Sequence, residues 1–247
     1  MRILVIGDSC KDVFVYGKCD RICPEAPVPV FNPLEKKENG GMASNVYKNI
    51  KSLVGEEVEV CLITNTNTIT KTRYVDYKTN QMLIRVDEQD KADPITHDLN
   101  SLGEFDAVVI SDYDKGFLSQ DNIKTLISKY PLTFIDTKKQ IGDWIKGISF
   151  IKINEPEYKK NESFFNTIDY NYQAELIVTL GEKGVQYQGV NYQPKEIIDA
   201  FDLSGAGDTF LAGLVTSYLL DKDMPKAIQF AQECAGKVIA RKGVAVI

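Results

Sequence analysis

The chain is poor in the residues on which several enzyme mechanisms depend. Its 247 residues include one histidine, His97, one tryptophan and five cysteines. Mechanisms that need a histidine base or a Ser-His pair are therefore disfavoured. The cysteines are Cys10, Cys19, Cys23, Cys61 and Cys234. Because they are odd in number and show no C-x-x-C spacing, we expect reduced thiols and no zinc site, and carboxylates remain as the candidate bases.

The chain also lacks a basic excess and a long apolar run. Its net charge is −6 and its pI is near 5.0, without the concentrated basic patch that nucleic-acid binding usually needs. No apolar run reaches membrane-spanning length, and the first one meets Asp8 too early for a signal peptide. We therefore expect a cytoplasmic protein with neither a nucleic-acid nor a membrane partner.

Short β-branched runs alternate with helical patterns, which is typical of an α/β fold with a mostly parallel central sheet flanked by helices. The predicted strands lie at residues 2–6, 59–64, 107–111, 133–136, 150–153, 176–180 and 244–247. The predicted helices lie at residues 42–54, 119–129, 155–160, 206–220 and 225–241. With 43% hydrophobic residues, the chain can bury the core of a single domain over residues 1–247.

Four further segments break this alternation and predict a small separate sheet. Residues 13–16 and 28–31 read as extended strands, and residues 70–77 and 81–86 read as a hairpin around Lys78-Thr79-Asn80. We interpret residues 12–33 and 70–87 as a β lid over a pocket, and an ordinary β excursion at the sheet edge is the alternative. Because an unpaired strand edge can pair with another chain, a homodimer through the lid strands is a further hypothesis.

The segment Gly205-Ala206-Gly207-Asp208 leads straight into a predicted helix. Residues with little or no side chain let backbone N–H groups face an anion, and the positive end of the helix adds to the attraction. Asp208 then stands beside that anion as a candidate base, which suits phosphoryl transfer to an alcohol. A plain helix start after a glycine turn is the alternative.

These patterns resemble the ribokinase-like carbohydrate kinases, also called the PfkB family. Residues 40–45 resemble the early Gly-Gly-x-x-x-Asn signature of that family, and residues 205–208 resemble its late signature. The resemblance is closest to the kinases of bacterial ADP-heptose synthesis, which phosphorylate the anomeric hydroxyl of D-glycero-D-manno-heptose 7-phosphate. The segments that carry it are Gly7-Asp8 with Asp12, residues 21–30, 68–73 and 80–87, and Ser111-Asp112-Tyr113-Asp114-Lys115-Gly116. It implies a ribokinase-like three-layer fold with a β lid.

The resemblance also implies roles for individual residues. Asp208 would be the base that takes the proton of the acceptor hydroxyl. The anion hole would consist of the backbone amides of Gly205, Ala206 and Gly207. Asp12 would accept hydrogen bonds from sugar hydroxyls, with Gly41 and Asn45 lining the same pocket. Alternatively, Asp12 is a strand-end turn and Asn45 is a helix start.

Two more matches concern the nucleotide. Asn154 and Glu157 resemble the Asn-x-x-Glu element that organises Mg²⁺ and the nucleotide phosphates, often through water, although the pair also fits a helix cap. Thr179, Gly181 and Gly184 match the Thr-x-Gly-x-x-Gly turn that approaches the nucleotide, and a hairpin turn is the alternative. ATP and Mg²⁺ are thus the implied cofactors, and dependence on a monovalent cation stays open.

A phosphate already present on the sugar would need cationic ligands. The candidates are Lys115, Arg73 and Arg85, together with Arg21 and Lys71. Solvated surface charge is the alternative for each of them.

The chain departs from the family pattern after Thr64. Only a short Asn-Thr stretch precedes Thr68, whereas family members usually insert a turn, a helix and another strand. One βα unit is therefore missing from the sequence pattern, and the reaction type is better determined than the sugar. The related heptose enzymes are often fused to a nucleotidyltransferase, which we expect to be absent here.

The sequence thus predicts an ATP-dependent sugar kinase that acts on a sugar phosphate at its anomeric hydroxyl. A kinase of the same family for another sugar or sugar phosphate, and a noncatalytic sugar-phosphate sensor, stay open as alternatives. A Rossmann dehydrogenase is disfavoured, because Gly7-Asp8-Ser9-Cys10 lacks the G-x-G-x-x-G that admits a dinucleotide.

Overall fold

The computed structural model describes residues 1–167, 175–196, 198, 202–241, 243 and 245–247. Its strands are β1 (Arg2–Gly7), β2 (Ser9–Ile22), β3 (Pro29–Met42), β4 (Glu59–Thr64), β5 (Ile69–Asp76), β6 (Met82–Glu88), β7 (Ala107–Asp112), β8 (Thr133–Thr137), β9 (Phe150–Asn154), β10 (Glu175–Thr179), β11 (Val185–Tyr187) and β12 (Val190–Tyr192). Its helices are α1 (Ala43–Leu53), α2 (Gln120–Lys129), α3 (Glu155–Thr167), α4 (Ala206–Asp221) and α5 (Met224–Ile239).

An eight-stranded sheet forms the middle layer, in the order β12-β11-β10-β9-β8-β7-β1-β4. The six strands from β10 to β4 are parallel, and β11 and β12 add an antiparallel edge. Ile3 and Val5 of β1 pack with α1, α4 and α5 on one face, whereas Leu4 and Ile6 pack with α2 on the other. Burial on both faces explains why the parallel strands are almost continuously apolar. The predicted α/β fold with helices on both faces is confirmed.

Local signals in the sequence fix most element ends. Ser119 caps α2 in a reciprocal capping box with Asn122, and Asp223 caps α5, which carries Pro225 in its first turn. Helix α3 continues to Thr167, beyond the predicted end at residue 160, and the short strands β11 and β12 were not predicted. None of the described helices is long and apolar enough to cross a membrane.

The closing strand predicted at residues 244–247 is not seen. Val244 lies outside the described residues, and Ala245, Val246 and Ile247 are not in a strand. The backbone amide of Ile247 instead donates a hydrogen bond of 3.1 Å to Asn49 Oδ1 on α1. The end of the chain is therefore tied to a helix at this point.

The second sheet has four strands in the order β3-β2-β5-β6. Strands β2 and β3 each span 14 residues, much longer than the predicted segments, and Val13 pairs with Glu38 instead of residues 28–31. The β5–β6 hairpin turns at Lys78-Thr79-Asn80 as predicted, and Asp76 Oδ1 accepts the backbone amides of Lys78 and Thr79. This sheet is separate from the main one, as the sequence suggested.

The inner face of the four-stranded sheet lies against the end of the chain. Phe14 and Tyr16 of β2 are each 1% exposed. A Cβ atom added at Gly243, just after α5, would lie 3.6 Å from both side chains. The sheet therefore covers the segment that follows α5.

A very short connection joins the two sheets after β4. Asn65 Oδ1 accepts the Ser9 amide at 2.7 Å, and Asn65 Nδ2 donates to the backbone oxygens of Ser9 and Asn67 at 3.2 and 2.6 Å. No helix or strand occurs between β4 and β5, a stretch that the structure describes in full, and β4 is the edge of the larger sheet. The predicted loss of a βα unit at this point agrees with the structure, and Asn65 fastens the remaining connection.

We expect Asn65→Ala to lower the free energy of unfolding by about 2 kcal/mol, because the half-buried amide of Ser9 loses its acceptor. Urea unfolding followed by circular dichroism measures this change. Asn191→Ala, on the exposed strand β12, is the matched control and should change stability by less than about 0.5 kcal/mol. Equal effects of the two substitutions would contradict a fastening role for Asn65.

Candidate active site

The glycine loop ends where α4 begins, and its backbone supports an anion site. Gly205 precedes the helix with φ of 81°, a left-handed conformation that suits glycine. The amide of Ala206 makes a long hydrogen bond of 3.3 Å to Leu203 O. Within the described part of the chain, the amides of Gly205 and Gly207 have no such acceptor. Two amides without acceptors therefore lie at the positive end of a 16-residue helix, and both glycines line the same cavity.

Asp208 lies in the first turn of α4 and is 4% exposed. Tyr113 donates its hydroxyl proton to Asp208 Oδ1 at 2.7 Å, and Asn45 Nδ2 donates to Oδ2 at 3.1 Å. Asn49 supports Asn45, because its Nδ2 donates to Asn45 Oδ1 at 3.0 Å. Burial raises the pKa of Asp208 to about 6, although the hydrogen bonds from Tyr113 and Asn45 act in the opposite direction. A carboxylate with this pKa is a competent general base near neutral pH.

Lys152 places a positive charge beside the glycine loop. A Cβ atom added at Gly207 would lie 3.2 Å from Lys152 Nζ. The ammonium group also forms a buried ion pair with Asp136 Oδ2 at 2.5 Å, with both side chains at most 4% exposed. Burial alone would raise the pKa of Asp136, but Lys152 and Lys138 outweigh it and hold that pKa below its usual range. Lys152 therefore adds a fixed cation to the anion site.

A cavity of about 520 Å³ opens in front of this loop. Its lining residues are Tyr113, Asp136, Lys138, Lys152, Asn154, Glu155, Pro156, Thr179, Leu180, Gly181, Leu203, Gly205 and Gly207. The predicted nucleotide residues Asn154, Thr179 and Gly181 are among them. Gly184 is not, since it packs in the β10–β11 turn, where an added Cβ atom would lie 2.2 Å from Tyr192 O. The cavity thus joins the ends of β8, β9 and β10 to the start of α4.

Asn154 and Glu157 form a capping box at the start of α3. Asn154 Oδ1 accepts the Glu157 amide, and Glu157 Oε2 accepts the Asn154 amide, each at 2.9 Å. Lys138 Nζ donates to Glu157 Oε1, which also accepts a hydrogen bond from Asn154 Nδ2. The helix-cap alternative is therefore correct in geometry. It leaves room for a metal-organising role only through outer contacts such as water.

Asp136 lines the same cavity and has one carboxylate oxygen that is fully buried. Asp136 Oδ1 has no hydrogen-bond partner among the described residues, and Lys138 Nζ lies 3.6 Å away. No cluster of three or more His, Cys, Asp or Glu side chains suited to a metal occurs in the described chain. Mg²⁺ typically uses only one or two carboxylates together with nucleotide phosphates and water. A single carboxylate beside the cavity, as Asp136 provides, is compatible only with Mg²⁺ that is held mainly by a nucleotide and water.

The predicted acceptor residues meet on the inner face of the four-stranded sheet. Asp12 is 6% exposed, and its Oδ1 accepts a hydrogen bond from Arg73 Nη1. A Cβ atom at Gly41 would lie 2.0 Å from Asp12 Oδ2, so only glycine admits the carboxylate here. Arg73 also lies over the ring of Phe14, 5.0 Å from its centroid. Asp12, Gly41 and Arg73 thus form one wall, with Asn45 and Asp208 on the body of the protein.

Lys115 and Arg85 lie farther out, and each is paired. Lys115 Nζ lies 2.5 Å from Asp90 Oδ2, and Lys71 Nζ lies 3.9 Å from Asp90 Oδ1. Arg85 pairs with Asp87 at 2.9 Å on its own strand, with 48% of its side chain exposed. The structure therefore brings Lys115 and Lys71 to one carboxylate and leaves Arg85 toward solvent.

The sequence analysis did not assign Tyr113, Asp136, Lys138 or Lys152 to the site. A lysine within the apolar strand Phe150–Asn154 was a usable signal, since buried lysines are almost always paired or functional. Asp136, a charged residue within the buried strand β8, was a similar signal, and Lys138 follows directly after that strand. The sequence did not show which strand ends lie next to each other, so these residues could not be assigned to one site.

Comparison with known proteins gives one family. A family model described as pfkB family carbohydrate kinase matches residues 57–246. The Bifunctional protein HldE of a Nitratiruptor species is 32% identical over 291 residues, which covers 99% of this chain and 62% of that protein. The chain therefore spans less than two thirds of this curated relative. The aligned stretch exceeds the 247 residues of the chain, so the relative contains segments that are missing here.

Solved structures give the same fold at low identity. Ribokinase from Thermotoga maritima has a TM-score of 0.70 and 17% identity, covering 98% of this chain and 94% of that chain. Arabidopsis thaliana ribokinase complexed with ribose and ATP has a TM-score of 0.68 and 14% identity, covering 98% and 93%. The ribokinase-like fold is confirmed by these likenesses.

We expect Lys152→Met to lower the free energy of unfolding by about 3 kcal/mol, because Asp136 would keep a buried charge without its nearest partner. Chemical unfolding at pH 7 measures this change. Lys159→Met is the control, since Lys159 makes only an exposed pair with Glu155 and should change stability by less than about 0.5 kcal/mol. Adding Asp136→Asn to Lys152→Met should restore part of the loss; a double variant no more stable than the single one would refute this explanation.

Proposed function

Because the chain belongs to the pfkB family of carbohydrate kinases, we propose that it transfers the γ-phosphoryl group of ATP to a sugar hydroxyl at this site. One observation carries the proposal. A buried carboxylate, Asp208, lies at a helix start next to the open amides of Gly205 and Gly207 and the Lys152 ammonium. A base and an anion hole at one point are what phosphoryl transfer to an alcohol requires.

In the proposed step, Asp208 accepts the proton of the acceptor hydroxyl while the hydroxyl oxygen bonds to the γ-phosphorus. The bond from the γ-phosphorus to the bridging oxygen breaks, and ADP leaves with that electron pair. The loop amides, the start of α4 and Lys152 stabilise the negative charge on the transferred group. Protonated Asp208 then returns its proton to solvent.

The nucleotide is proposed to occupy the 520 Å³ cavity. Asn154, Thr179 and Gly181 line it, and Lys138 adds a cation near the phosphates. Asp136, with Asn154 and Glu157 through water, would hold Mg²⁺, which neutralises phosphate charge when bound. A role for Gly184 is indirect, because it shapes the turn that carries Gly181.

The proposed acceptor is D-glycero-D-manno-heptose 7-phosphate, phosphorylated at its anomeric hydroxyl. Support comes from the resemblance along the sequence and from the relative named Bifunctional protein HldE. Asp12 would accept hydrogen bonds from sugar hydroxyls. Lys71, Arg73 and Lys115 lie on the same side and would bind the existing phosphate, displacing Asp90 from the two lysines. The four-stranded sheet would act as the lid of a single kinase domain.

We expect ADP release with Mg²⁺ and ATP from a panel containing the heptose 7-phosphate, the unphosphorylated heptose and other sugars. Asp208→Asn should lower kcat by about 10³-fold, because the base is lost. Asp121→Asn, on the exposed side of α2, should leave kcat unchanged. Activity is measured with a coupled ADP assay.

The pattern across the panel separates the alternatives. Turnover of the heptose 7-phosphate, together with a higher KM for it in Lys115→Met, supports the proposed acceptor. Turnover of another sugar keeps the kinase and removes the heptose assignment. Binding of a sugar phosphate without any turnover by the wild type would identify a sensor instead of an enzyme.

The free edge of the lid supports a homodimer. Within the described residues β6 pairs with β5 alone, and all seven of its residues are exposed. Four of them are apolar, with exposed fractions from 39 to 57%: Met82, Leu83, Ile84 and Val86. An apolar strand with unpaired backbone groups is a template for another strand, and a second copy of the chain offers the same edge. We therefore propose that β6 pairs with β6 of a second copy.

Light scattering should give twice the 27.7 kDa mass of the chain at micromolar concentration. Ile84→Lys should shift the protein to monomer, since it places a charge in the apolar edge. Leu220→Lys is the matched control, because Leu220 is 72% exposed at the end of α4. A monomeric wild type, or a dimer that survives Ile84→Lys, would argue against the β6 interface.

A further inference from the structure

Tyr113, in the loop after β7, contacts the proposed base but has no role in the proposed reaction so far. Its hydroxyl donates to Asp208 Oδ1 at 2.7 Å, and its ring lines the cavity. We propose that Tyr113 is a positioning residue, which holds the Asp208 carboxylate in its reactive orientation and charge state through this hydrogen bond. The inference rests on the proposed kinase function, because it assigns a partner to the proposed base.

The backbone of Tyr113 is held by a buried carboxylate. Asp8, 0% exposed, lies between β1 and β2. Its Oδ2 accepts the amides of Tyr113 at 2.7 Å and Lys115 at 3.3 Å, and its Oδ1 accepts the amide of Phe117 at 3.2 Å. Three backbone contacts to one carboxylate fix the path of the loop after β7. A tyrosine on such a loop can hold a partner in place with little loss of conformational entropy.

The neighbours of Tyr113 are also anchored. Lys139 Nζ donates to Asp112 Oδ1 at 2.8 Å and pairs with Asp114 Oδ1 at 2.9 Å. Lys138 Nζ lies 5.2 Å from the centroid of the Tyr113 ring, a cation–π contact. The residues before and after Tyr113 are therefore anchored by Lys139, and one face of the Tyr113 ring contacts Lys138. Its hydroxyl has a fixed direction, toward Asp208.

The chemistry of the pair favours the charged base. Burial raises the pKa of Tyr113 well above its usual value, and the negative charge of Asp208 adds to the shift. Tyr113 therefore remains a proton donor at all working pH values. A donor to a carboxylate stabilises the ionised form, so its removal raises the pKa of the acid. Without Tyr113, Asp208 would be protonated over more of the neutral range.

Other groups around Asp208 act on the same equilibrium and must stay constant in a test. Asn45 donates to its second oxygen. The charged or titratable groups that face Asp208 are Asp136 on β8, Lys138 after β8, Lys152 on β9 and Cys10 on β2. A Tyr→Phe substitution alters none of these side chains and keeps the aromatic ring over Lys138. The substitution therefore isolates the hydroxyl.

The test compares Tyr113→Phe with Tyr130→Phe. Tyr130 is the matched control, because it is 2% exposed and donates its hydroxyl to Gly103 O at 2.8 Å, outside the cavity lining. The first measurement is a carbon-13 NMR titration of protein labelled at aspartate carboxyl carbons, in which the Asp208 signal is the one absent from Asp208→Asn. It needs no substrate, so its result is independent of the proposed kinase activity.

The Asp208 titration should have a midpoint of about 6 in the wild type and in Tyr130→Phe. In Tyr113→Phe the midpoint should rise by roughly 0.5 to 1 pH unit. An unchanged midpoint would overturn the proposal. Thermal unfolding checks that each variant is folded, and Tyr113→Met provides the same titration if the Phe variant does not fold.

The second measurement is kcat/KM against pH for whichever sugar the wild type phosphorylates. The acidic limb of Tyr113→Phe should move upward by the NMR shift, with a loss of about 2- to 5-fold at pH 6 and less than about 2-fold at pH 8.5. A loss equal at both pH values would contradict control of the charge state. A wild type inactive on every sugar would reject the kinase proposal while the NMR titration still decides the role of Tyr113.

Discussion

A negative charge buried at the start of α4 is the constraint on which the site depends. Removing a carboxylate from water is strongly unfavourable unless hydrogen-bond donors and cations surround it. Asp208 receives them from separate elements: Asn45 of α1, Tyr113 after β7 and Lys152 of β9. The strand order of the larger sheet brings these elements to one edge. The environment of Asp208, the proposed base, thus depends on the topology, and the glycine loop alone would not create it.

Paired charges are the common feature of both sides of the site. On the proposed acceptor side Arg73 is bound to Asp12 and Lys115 to Asp90, and on the proposed nucleotide side Lys152 is bound to Asp136. Each cation is already oriented by its carboxylate partner. A phosphate must, however, compete with a carboxylate and not with water. In the proposed site, selectivity between phosphorylated and unphosphorylated ligands would depend on how easily a phosphate displaces each carboxylate from its cation.

The sequence predicts the parts that depend on local patterns. The parallel strands and the five helices follow from apolar runs and caps, and the glycine loop before a helix singles out Asp208. Asn45 and Asp12 are named only through the family resemblance, and their roles stay predictions. The lengths of β2 and β3 could not be predicted in this way. Both strands contain many polar residues, and β2 runs from Ser9 to Ile22 before the chain turns back into β3. The pairing of Lys152 with Asp136, and of Tyr113 with Asp208, joins distant segments. Such contacts require the strand order, which a single sequence does not contain.

Three of the four connections between the four-stranded sheet and the body are very short, and the fourth, residues 89–106 between β6 and β7, is long. Asp8 alone separates β1 from β2, β3 runs directly into α1 after Met42, and residues 65–68 join β4 to β5. The same Asp8 carboxylate holds the loop that carries Tyr113. The residue that joins the two sheets after β1 therefore also supports the partner of Asp208, so a substitution at Asp8 would disturb the attachment of the smaller sheet and the proposed base together.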